Sequence, residues 1–180
     1  MNYAKEEFIS VDVETSGPSP RDYALLSIGA CTVFEPRKTF YIELKPDAPG
    51  FTPEAMDISK LSLDRLRETG SPPEEAMRKF ADWVKEIVPE GSMPVFTAFN
   101  APFDWMFVDD YFYRYLGYNP FGHKALDIKA LYMGVRKTNW AETSYNVIMK
   151  RIGLDSTLTH HALDDAIQQA KLFKLLLDEL

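Results

Sequence analysis

Four acids constrain this chain more than any other feature. Asp12 and Glu14 sit in an early strand-like segment and Asp104 just after a later one. Asp165 lies near the C-terminus, in the run His160-His161-Ala162-Leu163-Asp164-Asp165. Acids so far apart make chemical sense together only if the fold gathers them. Gathered carboxylates repel one another and hold their protons more tightly, which is costly unless a divalent cation neutralises them. The chain must therefore keep these four in solvent or build a metal site of the kind used for phosphoryl transfer.

Local pattern bears on that choice. In a strand, residues two apart share a face, so Asp12 and Glu14 point one way and Val11 and Val13 the other. A solvated edge strand has the same spacing, so this segment alone leaves both readings open. The helix predicted from about Ala101 to Leu116 is more selective. At about 100° per residue, Asp104, Phe107, Val108, Tyr111 and Tyr115 share one stripe, and Asp109 and Asp110 fall outside it. Asp104 thus heads the apolar face, although the macrodipole also favours an acid in a first turn. In the last predicted helix, Ala162 to Leu180, the inward stripe is Ala162, Ala166, Ala170, Phe173 and Leu177. Asp165 lies at its edge, about 60° from Ala162, and Asp164 nearly opposite. His160 and His161 stand at the start of this helix. Histidine suits a general base for water, while a pair in that place also serves as surface or cap.

The remaining elements follow from punctuation. Phe8 to Glu14, Leu25 to Phe34 and Thr39 to Leu44 read as strands, with Pro36-Arg37-Lys38 as a turn, so an antiparallel meander is expected. Pro49 to Gly70 is punctuated and holds short helical turns. A helix starts at Ser71-Pro72-Pro73-Glu74-Glu75, with Ser71 as its cap, and runs to about Val88. Met93 to Phe99 is a strand, and Lys124 to Ile128 a weaker one. Asp127 to Val135 and Ser144 to Arg151 are helical. Three antiparallel strands followed by alternation imply an α/β fold, a mixed five-stranded sheet with helices on both faces.

A chain of 180 residues with 46% hydrophobic and 26% charged residues is expected to be one domain with a full core. No apolar run reaches a membrane-spanning length, and Met1 to Glu7 is too polar for a signal peptide. The single Cys31 lies in an apolar run and reads as core; with no disulfide possible within the chain, a cytoplasmic location is the default. A net charge of −7 disfavours a protein that coats long nucleic acid, which needs a basic stripe. An enzyme that grips an end through metal does not need one.

Three segments then carry a resemblance over nearly the whole chain. Val11-Asp12-Val13-Glu14-Thr15-Ser16-Gly17, followed by Ser27-Ile28-Gly29-Ala30, is the first. Phe99-Asn100-Ala101-Pro102-Phe103-Asp104 is the second, and His160-His161-Ala162-Leu163-Asp164-Asp165-Ala166 the third. In order and spacing they resemble the DEDD 3′–5′ exonucleases, histidine subclass (DEDDh), on a ribonuclease-H-like fold. That family includes a polymerase proofreading subunit, ribonuclease T and oligoribonuclease. The resemblance implies two Mg²⁺ ions, replaceable by Mn²⁺, held by Asp12, Glu14, Asp104 and Asp165, with His160 rather than His161 as the base. It implies single-stranded DNA or RNA 3′ ends as substrate, nucleoside 5′-monophosphates as products, and Thr15, Asn100 and Phe103 as contacts to the terminal nucleotide. Phe99 departs from the histidine or glycine of many relatives, and His161 from a small or polar residue; both bear on substrate preference.

Other classes were weighed against this one. An exonuclease-like module that binds ends or a partner without turnover would not need all four acids and the histidine. A carboxylate-pair glycosidase fits four acids less well than a metal site does. Tyr111 to Tyr115 reads as core plus helix surface, with a stacking surface as the alternative. Several relatives are dimers or serve a polymerase, but no segment here declares a homodimer interface or a polymerase partner.

Overall fold

The computed structural model describes residues 5–153 and 159–180; part of the polar N-terminal run considered above, residues 1–4, lies outside them. Three antiparallel strands come first: β1 (Glu6–Thr15), β2 (Leu25–Thr32) and β3 (Thr39–Glu43). Two short helices follow, α1 (Pro53–Ser59) and α2 (Leu63–Thr69), then α3 (Pro73–Ile87), β4 (Met93–Ala98), α4 (Ala101–Leu116) and β5 (Ala125–Asp127). The chain continues as α5 (Ile128–Arg136), a single 3-10 turn at Trp140–Glu142, α6 (Tyr145–Ile152) and α7 (Ala162–Asp178). The strands form one sheet in the order β3-β2-β1-β4-β5, with β4 parallel to β1 and β5 parallel to β4. The expected mixed sheet is therefore the one observed.

Alternation along β1 separates two cores. Ile9, Val11 and Val13 face α3 and α4, where Phe80 stacks between Phe40 and Phe112 at centroid distances of 5.0 and 5.6 Å. Phe8, on the other face, packs with Cys31 and Val33 of the second strand region against α5, α6 and α7. Cys31 is fully buried, as its apolar setting required.

Three details differ from the sequence reading. Ser71 does not cap α3: Pro72 holds that position. The backbone of Ser71 instead donates to the Glu43 carbonyl and accepts from Lys45, each at 2.9 Å, extending the edge of β3. Sheet pairing has taken the residue that capping would have used. The weak fifth strand shrinks to three residues, because Asp127 turns the chain and caps α5 by accepting from the Lys129 N–H at 3.0 Å. Tyr111 and Phe112 are buried while Tyr113 and Arg114 are exposed, so the 111–115 run is part core and part helix surface, and Phe112 replaces Tyr115 in the inward stripe of α4.

The placing of α7 decides the rest. Ala162, Ala166 and Ala170 are fully buried against the sheet, and small side chains let a helix come close. Gly29 allows the closest approach. A Cβ there would lie 2.1 Å from the Ala162 carbonyl carbon and the Leu163 nitrogen. Gly29 is the cross-strand partner of Asp12, so the first turn of α7 rests beside Asp12.

Candidate active site

Each acid arrives by a separate local device. Asp12 and Glu14 share the face of β1 that α7 covers. Beyond Ser10, β1 has no further pairing with β4, which leaves the Val13 N–H without a strand partner. Asp104, in the first turn of α4, accepts that N–H through Oδ1 at 3.1 Å and is 5% exposed. The start of α4 is held in turn by Asn100, a left-handed residue at φ 64°, a conformation that asparagine tolerates better than most. Its N–H donates to Asp127 Oδ1 at 3.0 Å.

Asp165 organises the segment before α7. Its Oδ1 accepts from the Thr159 N–H and hydroxyl at 3.0 and 3.1 Å, and its Oδ2 from the His160 N–H at 3.0 Å. This clamp accompanies a left-handed His160 (φ 54°) and turns its imidazole inward. Single ligand atoms of Glu14, His160 and Asp165 lie within 4.8 Å of one another. His161 turns away: its ring stacks on Tyr41 at 4.5 Å and its Nδ1 lies 3.4 Å from the exposed Asp164. The phase argument that separated Asp165 from Asp164 therefore holds, with Asp165 only 3% exposed. Asp109 and Asp110 stay out of the site, paired with Asn119 and Arg114.

All eight residues singled out from sequence line one cavity of about 510 Å³: Asp12, Glu14, Thr15, Asn100, Phe103, Asp104, His160 and Asp165. The Thr15 hydroxyl donates to the Gly17 carbonyl at 2.9 Å and shapes the turn at the cavity wall. Phe103 packs on Phe107 at 5.5 Å between centroids. Phe99, expected to bear on substrate preference, also lines the cavity, and sequence did not point to Ile58 of α1, Tyr145 or Gln169, which line it too. Gln169 matters most. Its Nε2 donates to Asp12 Oδ1 at 2.5 Å while its Oε1 accepts from the Phe99 N–H at 2.8 Å, so one buried amide fixes a carboxylate and the end of β4. A glutamine four residues after Asp165, beside an apolar stripe, was the available signal.

The electrostatics are those of a crowded anionic site. Burial, then Asp104, Glu14 and Asp165, push the Asp12 carboxyl well above its ordinary range. Burial, with Asp165 and Asp104, pushes Glu14 up to about 8. Burial outweighs the stabilising Val13 N–H and raises Asp104 to about 8. No lysine or arginine is among the described residues of the lining. A cluster of this kind holds protons or gathers cations. The donor set, all carboxylate oxygen with one imidazole at hand, suits hard divalent ions such as Mg²⁺ and Mn²⁺.

Comparison with known proteins agrees with this geometry. The family model described as Exonuclease matches residues 9–173. The chain is 48% identical over 176 residues to the 3′–5′ DNA exonuclease Cap18 of Escherichia coli, covering 98% of this chain and 94% of that protein. It is 26% identical over 168 residues to the PolC-type DNA polymerase III of Staphylococcus haemolyticus, of which it spans only 11%. Among solved structures, the nuclease domain of 3′hExo, a DEDDh family member bound to rAMP, shares the fold with a TM-score of 0.79 at 17% identity, covering 95% of this chain and 92% of that one. E. coli Exonuclease I in complex with a dT13 oligonucleotide gives 0.72 at 19%, covering 96% of this chain and 40% of that one.

Proposed function

The chain belongs to the exonuclease family, and from that premise we propose that it is a 3′–5′ exonuclease of the DEDDh type that removes nucleotides one at a time from the 3′ end of single-stranded DNA. The observation that carries the reading is the convergence of four carboxylates from β1, α4 and α7 with His160 in one cavity. In this reading Asp12, Glu14, Asp104 and Asp165 hold two divalent cations. Bound there, the ions supply the charge that lowers the pKa of an attacking water and stabilises the leaving 3′ oxygen. A zinc-bound form has been described for the Exonuclease I–ssDNA complex of E. coli.

His160 takes the proton from the attacking water. Its imidazole stands beside the carboxylates of Glu14 and Asp165. Its partial exposure lets that proton pass to solvent. The water oxygen bonds to the terminal phosphorus, the bond to the 3′ oxygen of the preceding nucleotide breaks, and that oxygen takes up a proton. The product is a nucleoside 5′-monophosphate. The cavity lies in the usual size range for a small-molecule site, which suits one nucleotide. Phe103 offers a ring to its base, and Asn100 and Thr15 line the same cavity. The DNA preference rests on the likeness to Cap18, and a cytoplasmic setting on the lone buried Cys31.

A panel of end-labelled single- and double-stranded DNA and RNA oligonucleotides, with Mg²⁺ or Mn²⁺, tests the proposal. Stepwise loss from the 3′ end of single-stranded DNA is expected, abolished by Asp12→Ala or Asp165→Ala with the circular dichroism retained. Wild-type turnover in either variant, or faster digestion of RNA, would overturn it. A folded wild type that binds ends without cleaving them would favour the non-catalytic module.

A further inference from the structure

Apart from the cavity lining, Trp140 is 53% exposed, and the Lys129 ammonium lies 4.0 Å from the centre of its ring. Two routes tie this pair to the site. Asp127 Oδ1 accepts at 3.0 Å from both the Asn100 N–H of the cavity wall and the Lys129 N–H. The Trp140–Glu142 turn leads directly into α6, whose first residue, Tyr145, lines the cavity and meets the Phe99 ring edge-on at 5.3 Å. Among the described residues no carboxylate pairs with Lys129.

We propose that Trp140 and Lys129 form a shelf that holds single-stranded DNA just upstream of the nucleotide in the cavity. This deepens the exonuclease reading and rests on it. A cavity of about 510 Å³ without lysine or arginine in its described lining, in a chain of net charge −7, gives the rest of the strand little attraction. An exposed indole offers a π-face to any base, and a neighbouring ammonium meets the adjoining phosphate, the sequence-tolerant combination used for single strands. Continuity with the cavity wall and charge complementarity to the phosphate select DNA over a protein partner.

Binding of oligothymidylates of about three and about ten nucleotides, measured in Ca²⁺ by fluorescence anisotropy, separates shelf from cavity. Trp140→Ala should weaken the long oligomer about tenfold and leave the short one unchanged, while Trp140→Phe retains most of the affinity. Lys129→Ala should flatten the salt dependence for the long oligomer by about 0.7 in log–log slope. Equal binding of the long oligomer by wild type and Trp140→Ala would overturn the shelf. So would an equal loss for both lengths, which would place Trp140 in support of the cavity. Mg²⁺-dependent turnover of the short oligomer by wild type is read separately. Its absence would count against the exonuclease reading, whereas the length dependence of binding still decides the shelf.

Discussion

Replacing Gly29 with alanine should disable the enzyme without unfolding it. The added methyl would meet the Ala162 carbonyl carbon and Leu163 nitrogen at 2.1 Å, whereas ordinary contact begins near 3.4 Å. Both neighbours are backbone, so no side chain can swing aside, and the first turn of α7 must retreat by about 1.3 Å. That turn carries Asp165, which clamps His160. Reacting groups tolerate displacements of about 0.5 Å, and one of about 1 Å costs on the order of a hundredfold in rate, about 2.7 kcal/mol. Overpacking should cost a further ~1–3 kcal/mol of stability, a fall in Tm of roughly 2–12 °C. Single-turnover release of mononucleotide from a labelled single strand, with Tm by calorimetry, measures both. Gly134→Ala is the control: its site in α5 is open, so activity should hold and stability rise by up to ~1 kcal/mol. A Gly29→Ala enzyme within about threefold of wild type would refute the claim that α7 sets the site through this contact.

Gln169→Leu should weaken divalent-ion affinity about 10- to 100-fold, because Asp12 loses its donor and the Phe99 N–H its acceptor; unchanged affinity by calorimetric titration would count against it. His160→Ala should lower kcat by about 10²–10⁴ with ion binding largely intact, while His161→Ala stays within a few-fold; the reverse order would show that the wrong histidine had been assigned. Removing divalent ions should make stability fall with rising pH. Glu14, held up to about 8 against an ordinary 4.5, keeps its proton when folded and loses it sooner when unfolded. Its contribution is therefore complete below about pH 4.5 and disappears as pH passes about 8. Tm in chelator should drop across that window and Glu14→Gln should flatten the drop; a rising Tm would contradict the assignment.

The sequence resolved what periodicity governs. Helical phase told Asp104 from Asp109 and Asp110, and Asp165 from Asp164, because burial of an apolar stripe fixes the rotation of a helix. The antiparallel meander of β1 to β3 was legible from its strand and turn signals. What escaped depends on partners distant in sequence. Gln169 and Asp12 meet across 157 residues; the place of Gln169 beside the apolar stripe points it toward the sheet, but nothing local names its partner. The sequence puts Asp127 where a weak strand meets a helix; that one of its oxygens caps α5 and also holds Asn100 appears only when β4 and β5 lie side by side. Ser71 misled because its local preference for a cap lost to pairing along β3.

The docking of α7 on Gly29 also times the appearance of activity during biosynthesis. β1 and α4 supply three of the carboxylates, and both leave the ribosome before α7 does. Until α7 has been made and has closed on the sheet, the nascent chain has neither His160 nor Asp165 in place, and Asp12 lacks the amide that orients it. On the proposed mechanism an unfinished copy is therefore inactive. A single proteolytic cut that releases α7 would disarm a finished one.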